Sequence, residues 1–186
     1  MSLLNRWRRP ANTLRTERLE LIPIRVEMLD AERRSDGSFC DLLQARVTHE
    51  WPPEHWEPHV LEFIRKQIEG EPHAADWHRY VILREGLFRR TLIGCIGGFP
   101  KDAGDVEIGY STLPEYQRRG YATEAARALI DMLLTRETVA SVSAQTYQHV
   151  PESIKVMERA GMSYVGLGDE DGTVRYRKTR ADTFPA

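Results

Sequence analysis

The chain has 186 residues, 26 of them basic and 28 acidic, with a formal net charge of -2. This length fits one domain with a substantial core, and the near-neutral total excludes an overall basic field for nucleic acid or acidic membranes. Two cysteines are too few for a disulfide framework and suit a reducing compartment. No apolar run is long enough to span a membrane, and the first residues lack the apolar stretch that is typical of a signal peptide. We therefore expect a cytoplasmic protein with a single domain over residues 1–186 and a flexible tail at 1–12.

The first third of the chain predicts one strand and several helices. Residues 16–24 alternate around Leu19 and Leu21 and predict a first strand. Residues 26–47 have a weakly helical pattern that is broken near residues 33–37. A loop rich in proline at residues 51–58 then leads into a helix that ends near Gly70.

The remaining elements alternate in type. Strand-like runs cover residues 79–84, 92–99, 106–112, 139–146 and 174–178, and helical spacing covers residues 120–136 and 153–160. The first three of these strands predict an antiparallel meander. The helix between the third and fourth strands requires a parallel crossover. The fold class is therefore mixed α/β, with helices packed on a central sheet.

The segment after Pro114 carries the clearest chemical signal. A strand ends there, a basic turn follows, and a long helix begins, so free backbone N–H groups and the helix dipole favour an anion. Gly120 allows close approach to the backbone, and Arg118 and Arg119 add donors suited to phosphate oxygens. These features predict a phosphate-bearing ligand at residues 117–123. The alternative is a tight turn with two solvated arginines.

A family resemblance names the ligand. Gln117-Arg118-Arg119-Gly120-Tyr121-Ala122 matches the Q/R-x-x-G-x-G/A signature of the GNAT acetyltransferase superfamily. Flanking residues, including Glu107-Ile108-Gly109-Tyr110 and Ala122-Thr123-Glu124-Ala125, resemble the branch related to the RimJ/RimL ribosomal-protein N-terminal acetyltransferases. The resemblance spans roughly residues 16–178. It implies a mixed, mostly antiparallel sheet that is splayed at the cofactor site and flanked by helices.

The resemblance also implies the reaction. The enzyme would transfer an acetyl group from acetyl-CoA to a primary amine, on a protein N-terminus or a small molecule, directly within a ternary complex. A homodimer is a further expectation from the family, and neither a metal nor nucleic acid or membrane partners are expected. The implied cofactor-binding residues are Ser111, Thr112, Leu113, Gln117, Arg118, Arg119, Gly120, Tyr121, Ala122, Thr123 and Ser153.

Two residues are candidates for catalysis. Glu107 is the candidate base for the amine proton, and the alternative is an exposed carboxylate or a salt bridge. Ser153 matches a serine that contacts the CoA sulfur in this branch, and the alternative is a helix cap. Met157 stands where many relatives carry a tyrosine that protonates the departing thiolate. Val150 stands where this branch often has an asparagine that binds CoA. A backbone N–H near residues 112–113 is expected to stabilise the oxyanion.

Other features leave alternatives open. Trp51 and Trp56 line the acceptor pocket or simply pack, and Cys95 is expected to be a buried, inert thiol. His55 and His59 have the spacing of one helical face, but surface positions are favoured over a metal site. A non-catalytic module that binds or senses acyl-CoA is the rival function, because Met157 removes the usual acid.

Overall fold

A computed structural model describes residues 10–34, 36–54, 56–71, 76–86 and 88–183. The strands are β1 (Leu14–Arg15), β2 (Leu19–Pro23), β3 (Arg79–Glu85), β4 (Arg89–Pro100), β5 (Asp105–Thr112), β6 (Ser141–Tyr147), β7 (Ser163–Leu167) and β8 (Thr173–Thr179). The helices are α1 (Val26–Arg34), α2 (Ser38–Leu43), α3 (Pro58–Gly70), α4 (Tyr121–Leu134), α5 (Pro151–Arg159) and α6 (Arg180–Thr183).

All eight strands belong to one sheet with the order β1-β2-β3-β4-β5-β6-β8-β7. Every neighbouring pair is antiparallel except β5 and β6, which the crossover helix α4 joins in parallel. The mixed α/β class, the meander of β3, β4 and β5, and the parallel crossover are all confirmed.

Helices cover both faces of the sheet. On one face, α4 and α5 pack on β5 and β6, where Val106, Ile108, Val142 and Ala144 are buried in one apolar cluster with Leu129 of α4. On the other face, α1, α2 and α3 cover β2, β3 and β4 and enclose a second apolar cluster. We call these the α4–α5 face and the α1–α3 face. Successive residues of a strand point to opposite faces, so β5 contributes side chains to both.

The sequence missed β7. Its residues are mostly exposed, with Leu167 at 73% and Tyr164 at 57% exposure, so the run lacks the alternation that marks a strand with one buried face. Residues 1–9 of the expected tail lie outside the described residues. Residues 10–12 form part of a turn in which the Asn12 carbonyl accepts a hydrogen bond from buried Arg79. None of the helices in the described ranges is both long and apolar enough to cross a membrane.

Candidate active site

The sheet opens between β5 and β6. The two strands pair at Asp105–Ser141, Val106–Val142 and Glu107–Ser143, and within the described chain this pairing stops there. Beyond it, β5 continues to Thr112 against β4, and β6 continues to Tyr147 against β8. The two strands therefore diverge toward their carboxyl ends and leave a gap inside the sheet. The backbone groups that line this gap are available to a ligand.

The register of β5 decides which backbone groups face the gap. The Leu113 N–H donates to the Ile93 carbonyl at 2.8 Å. The backbone N–H groups of Leu113, and of every second residue before it, are therefore directed toward β4. The intervening residues, Tyr110 and Thr112, direct their N–H groups toward the gap. The Thr112 carbonyl already accepts a bond from the Gln117 side chain at 2.9 Å.

Leu113 is committed to the fold. Its side chain is fully buried, its N–H is bonded to Ile93, and its carbonyl accepts the Tyr116 N–H at 2.9 Å. Leu113 therefore has no free backbone N–H for an oxyanion or a cofactor. An N–H near residues 112–113 is expected to stabilise the oxyanion, and of these two residues only Thr112 directs its N–H toward the gap. Ser111 points to the α1–α3 face, where its hydroxyl donates to the Glu54 carbonyl at 3.2 Å.

The first turn of α4 lies directly beyond the carboxyl end of β5. Gly120 is the N-cap in the left-handed region at φ 82°, and no side chain caps the helix. Within the described chain, the N–H groups of Tyr121, Ala122 and Thr123 have no hydrogen-bond partner, and the first helical bond runs from Glu124 to Gly120. Uncapped N–H groups at a helix start form an anion site.

The two predicted basic residues immediately precede this helix start in the chain. Arg118 and Arg119 are both exposed, and Arg118 also adopts a left-handed conformation at φ 59°. The Arg119 guanidinium lies 5.9 Å from the Tyr116 ring centre. This backbone conformation belongs to the turn that immediately precedes α4.

Arg18 organises the same turn, and the sequence analysis did not assign it a role. Its guanidinium lies 2.7 Å from Glu124, donates to the Arg119 carbonyl at 3.0 Å, and lies 4.5 Å from the Tyr121 ring centre. Burial raises the pKa of Glu124, but hydrogen bonds from Thr16 and Arg18 outweigh it, and the pKa is lowered overall. These bonds fix the α4 start to the loop before β2. A cavity of about 460 Å³ opens beside it.

Tyr110 and Ser153 meet on the α4–α5 face of the gap. The Tyr110 hydroxyl lies 3.1 Å from the Ser153 hydroxyl and donates to the Ser153 carbonyl at 3.2 Å. Val150, not Ser153, is the N-cap of α5, and no side chain caps that helix. The capping alternative for Ser153 is therefore not what the structure shows. Met157 is only 1% exposed and belongs to the core, and the Tyr110 phenol of β5 instead contacts α5 at Ser153.

Glu107 lies at the base of the gap, because it is the last residue of β5 that pairs with β6. Its carboxylate accepts hydrogen bonds from Gln145 at 3.2 Å and lies 3.5 Å from Arg175 and 3.8 Å from Lys101. The salt-bridge alternative is therefore confirmed, and the assignment of Glu107 as the catalytic base stays a prediction. Glu107 forms salt bridges, and it also borders the opening.

The remaining candidates divide into packed and exposed groups. Cys95 is 6% exposed, which confirms the predicted burial, and this burial raises the pKa of its thiol. Exposed His59 lies 3.2 Å from Glu57, and His55 lies outside the described residues. Among the residues that the structure describes, no group of three or more His, Cys, Asp or Glu could hold a metal.

Comparison with known proteins identifies the family. Residues 18–163 match the acetyltransferase (GNAT) domain family. The chain is 29% identical over 150 residues to the uncharacterized N-acetyltransferase YjdG of Bacillus subtilis (strain 168), covering 80% of this chain and 88% of that protein. An acetyltransferase structure from Agrobacterium tumefaciens str. C58 matches with a TM-score of 0.62 and 22% identity, covering 91% and 95% of the two chains. The chain belongs to the GNAT acetyltransferase family.

The fold comparison does not select a branch of the family. The structure of RimL, a ribosomal L7/L12 alpha-N-protein acetyltransferase, in complex with coenzyme A matches with a TM-score of 0.59 at 16% identity, covering 90% of this chain and 97% of that one. A spermidine N-acetyltransferase from Vibrio cholerae matches with a TM-score of 0.60 at 15% identity, covering 91% and 98%. The shared feature is the GNAT fold: a mixed, mostly antiparallel sheet flanked by helices.

Proposed function

We propose that the protein transfers an acetyl group from acetyl-CoA to a primary amine, directly within a ternary complex. The observation that carries this proposal is the gap between β5 and β6, which opens beside the uncapped start of α4. One feature offers unpaired strand N–H groups and the other offers an anion site, and both lie at the carboxyl end of β5. Together they fit a ligand that has a diphosphate and an amide-containing arm.

Acetyl-CoA would supply a thioester carbonyl that an amine can attack. The N–H groups of Tyr121, Ala122 and Thr123 would bind the diphosphate, with Arg118 and Arg119 adding charge. The edge of β5 at Tyr110 and Thr112 would hydrogen-bond the amide-containing arm. The Thr112 N–H would also stabilise negative charge on the carbonyl oxygen.

Glu107 would remove the proton from the attacking amine, directly or through water. Its position at the base of the gap and its 16% side-chain exposure make it accessible from the side that α4 and α5 do not cover. Gln145 orients the carboxylate through both oxygens. Lys101 and Arg175 balance its charge before the proton arrives.

Tyr110 and Ser153 would donate to the departing thiolate. Burial raises the pKa of Tyr110, although the bond with Ser153 opposes that shift, so the phenol keeps its proton at neutral pH. A protonated phenol beside a hydroxyl is suited to this task. The pair would replace the acid that Met157 cannot provide.

Two observations support a protein N-terminus as one acceptor. RimL is among the similar structures, and residues 107–125 resemble the branch to which it belongs. A spermidine N-acetyltransferase among the similar structures supports a small amine as the other. Both acceptors present a primary amine to the same gap. A panel of acceptors should therefore contain N-terminal peptides and small amines.

The test combines binding and turnover. Wild-type protein should bind acetyl-CoA in calorimetry and release CoA when primary amines are added. Glu107→Gln should bind acetyl-CoA equally well and lose at least 100-fold in kcat. Glu85→Gln, an exposed carboxylate at the end of β3, should behave as wild type. A folded protein that binds acetyl-CoA but acetylates none of the amines would contradict the enzyme proposal and favour a non-catalytic sensing module.

A further inference from the structure

A second carboxylate lies beside Glu107. Asp169 belongs to the turn between β7 and β8, and its side chain is 53% exposed. The Gln145 side-chain nitrogen lies 3.2 Å from Asp169 Oδ2 and 3.2 Å from each carboxylate oxygen of Glu107. One amide therefore donates to two carboxylates, one at the base of the gap and one in the turn.

The turn fixes the direction in which the Gln145 amide points. The amide oxygen accepts the main-chain N–H of Asp169 at 2.8 Å, so the amide nitrogen has to face the two carboxylates. Gly168 makes this approach possible, because a Cβ there would lie 2.5 Å from the Gln145 oxygen and 2.2 Å from the Thr173 hydroxyl. The main chain of the turn thus holds the amide that contacts Glu107.

The two carboxylates share two cations. Arg175 lies 2.5 Å from Asp169 but 3.5 Å from Glu107. Lys101 lies 3.8 Å from each of these carboxylates. The hydrogen bond between Arg175 and Asp169 is the largest cause of the lowered pKa of Asp169 and of the raised pKa of Arg175. Asp169 is therefore the principal partner of Arg175.

The charge of Asp169 matters because of what the cations do to a base. In the described ranges, Lys101 and Arg175 are the cations within 4.0 Å of Glu107. Asp105, two residues earlier on β5, has its own cation, since Arg177 of β8 lies 3.8 Å from it. A carboxylate that two cations hold as an anion is a poor proton acceptor. Asp169 offsets this effect, because its charge partly neutralises both cations.

We propose that Asp169 is a positioning residue for the candidate base Glu107. Its main-chain N–H fixes the Gln145 amide against Glu107. Its carboxylate takes the closer ion pair with Arg175, which leaves Glu107 able to accept a proton. The proton passes from the attacking amine to Glu107, and Asp169 neither binds the amine nor accepts the proton. This inference rests on the proposed acetyltransferase function and concerns the control of its proton acceptor.

Asp169→Asn isolates the charge, because asparagine keeps the main-chain N–H and nearly the same shape. Arg175 and Lys101 would then pair with Glu107 alone and stabilise its anion. The acidic limb of the pH profile of kcat should move to lower pH by about 0.2–0.7 unit, as expected for partly exposed ion pairs.

The change in kcat should itself depend on pH. Above the acidic limb, kcat of Asp169→Asn should fall by up to about fivefold, because the base is weaker. Below the limb, the variant should match or exceed wild type, because a larger fraction of Glu107 is ionised. Acetyl-CoA affinity and the KM of the amine should stay unchanged. A general structural defect would lower kcat at every pH.

Two further variants serve as controls. Arg175→Gln removes a cation from Glu107, so the acidic limb should move to higher pH, opposite to the shift in Asp169→Asn. The double variant should lie between the two single variants. Asp171→Asn changes an exposed carboxylate in the same turn and should keep the wild-type profile.

The possible failures separate this inference from the proposed function. If wild type is active and Glu107→Gln is not, an unshifted limb or a uniform loss in Asp169→Asn overturns the positioning role alone. If Glu107→Gln keeps full activity, the base assignment and the positioning role are both wrong. If no amine is acetylated, the proposed function is wrong, and NMR titration of the Glu107 carboxyl carbon still tests the effect of Asp169. An unchanged midpoint in Asp169→Asn would then overturn the inference.

Discussion

The two faces of the sheet are built in different ways. The α4–α5 face places its candidate ligand groups within one continuous stretch, from β5 through the turn to the first residues of α4, and many of them are backbone N–H groups. The α1–α3 face assembles its groups from distant parts of the chain: the Tyr80 hydroxyl donates to Glu32, and these two residues are 48 residues apart. A site of backbone groups tolerates many side chains and can be shared by a family, whereas an arrangement of converging side chains depends on every residue that contributes to it.

The largest effect should be on the acetyl-CoA affinity, from a change at the backbone N–H groups that begin α4. Gly120→Val places a β-branched residue at φ 82°, where side chains are strained, and adds bulk at the helix start. Acetyl-CoA affinity should fall on the order of 1,000-fold in calorimetry, because several hydrogen bonds to the diphosphate are lost together. Gly86→Val imposes similar strain at φ 67° in the β3–β4 turn. It should keep the affinity, and equal losses in both variants would show that strain alone is responsible.

The next effect concerns the stability of the α1–α3 face. His78 is buried beside Gln67 of α3, and burial lowers its pKa to about 4. The unfolded chain binds the proton near pH 6.5 and the folded chain does not, so the contribution to stability is complete above pH 6.5. It is lost as the pH falls toward 4, by up to about 3 kcal/mol.

Urea unfolding at pH 7 and pH 4.5 measures this dependence. Wild type should lose more free energy of unfolding on acidification than His78→Gln, which has no imidazole to protonate. His59→Gln, at an exposed position, should follow the wild-type dependence. Identical pH dependence in wild type and His78→Gln would contradict the assignment.

A smaller effect tests the hydroxyl pair on the α4–α5 face. Tyr110→Phe should lower kcat about tenfold and leave the acetyl-CoA affinity unchanged, because it removes a proton donor but keeps the packing of the ring. Ser153→Ala should have a similar effect, and the double variant should lose less than the product of the two. Tyr164→Phe, on exposed β7, is the control. Full additivity in stopped-flow or steady-state rates would show that the two hydroxyls act separately.

The smallest effect concerns the side chain that holds the α4 start. Arg18→Gln removes the ion pair with Glu124 and the contact with Tyr121, and acetyl-CoA affinity should weaken about three- to tenfold. Arg25→Gln, whose guanidinium is exposed and 4.0 Å from Glu27, should not change the affinity. An unchanged affinity in Arg18→Gln would mean that the turn needs no side-chain support.

The sequence predicted the parts of the molecule whose signals are local. The helical spacing of α4, the alternation in β2 to β6 and the glycine in the turn are each visible within a short window, and the crossover rule then gives the parallel pair. Arg18 could not be predicted in this way, because its partner Glu124 is 106 residues away. The same holds for the hydrogen bonds that Trp51, Trp56 and Tyr80 donate to Glu32. The role of Leu113 depends on the register of β5. A shift of one residue would direct its N–H toward the gap and not toward β4.

The position of the gap has a consequence for solubility. Unpaired strand edges invite other chains to add strands, and proteins usually protect them at the outside of a sheet. Here the unpaired stretches of β5 and β6 face each other inside the sheet, with β4 behind one and β8 behind the other. A narrow extended ligand can enter between them, but the sheet of another protein cannot approach side-on. The backbone donors of the gap therefore stay open to a ligand without forming an outer edge of the sheet.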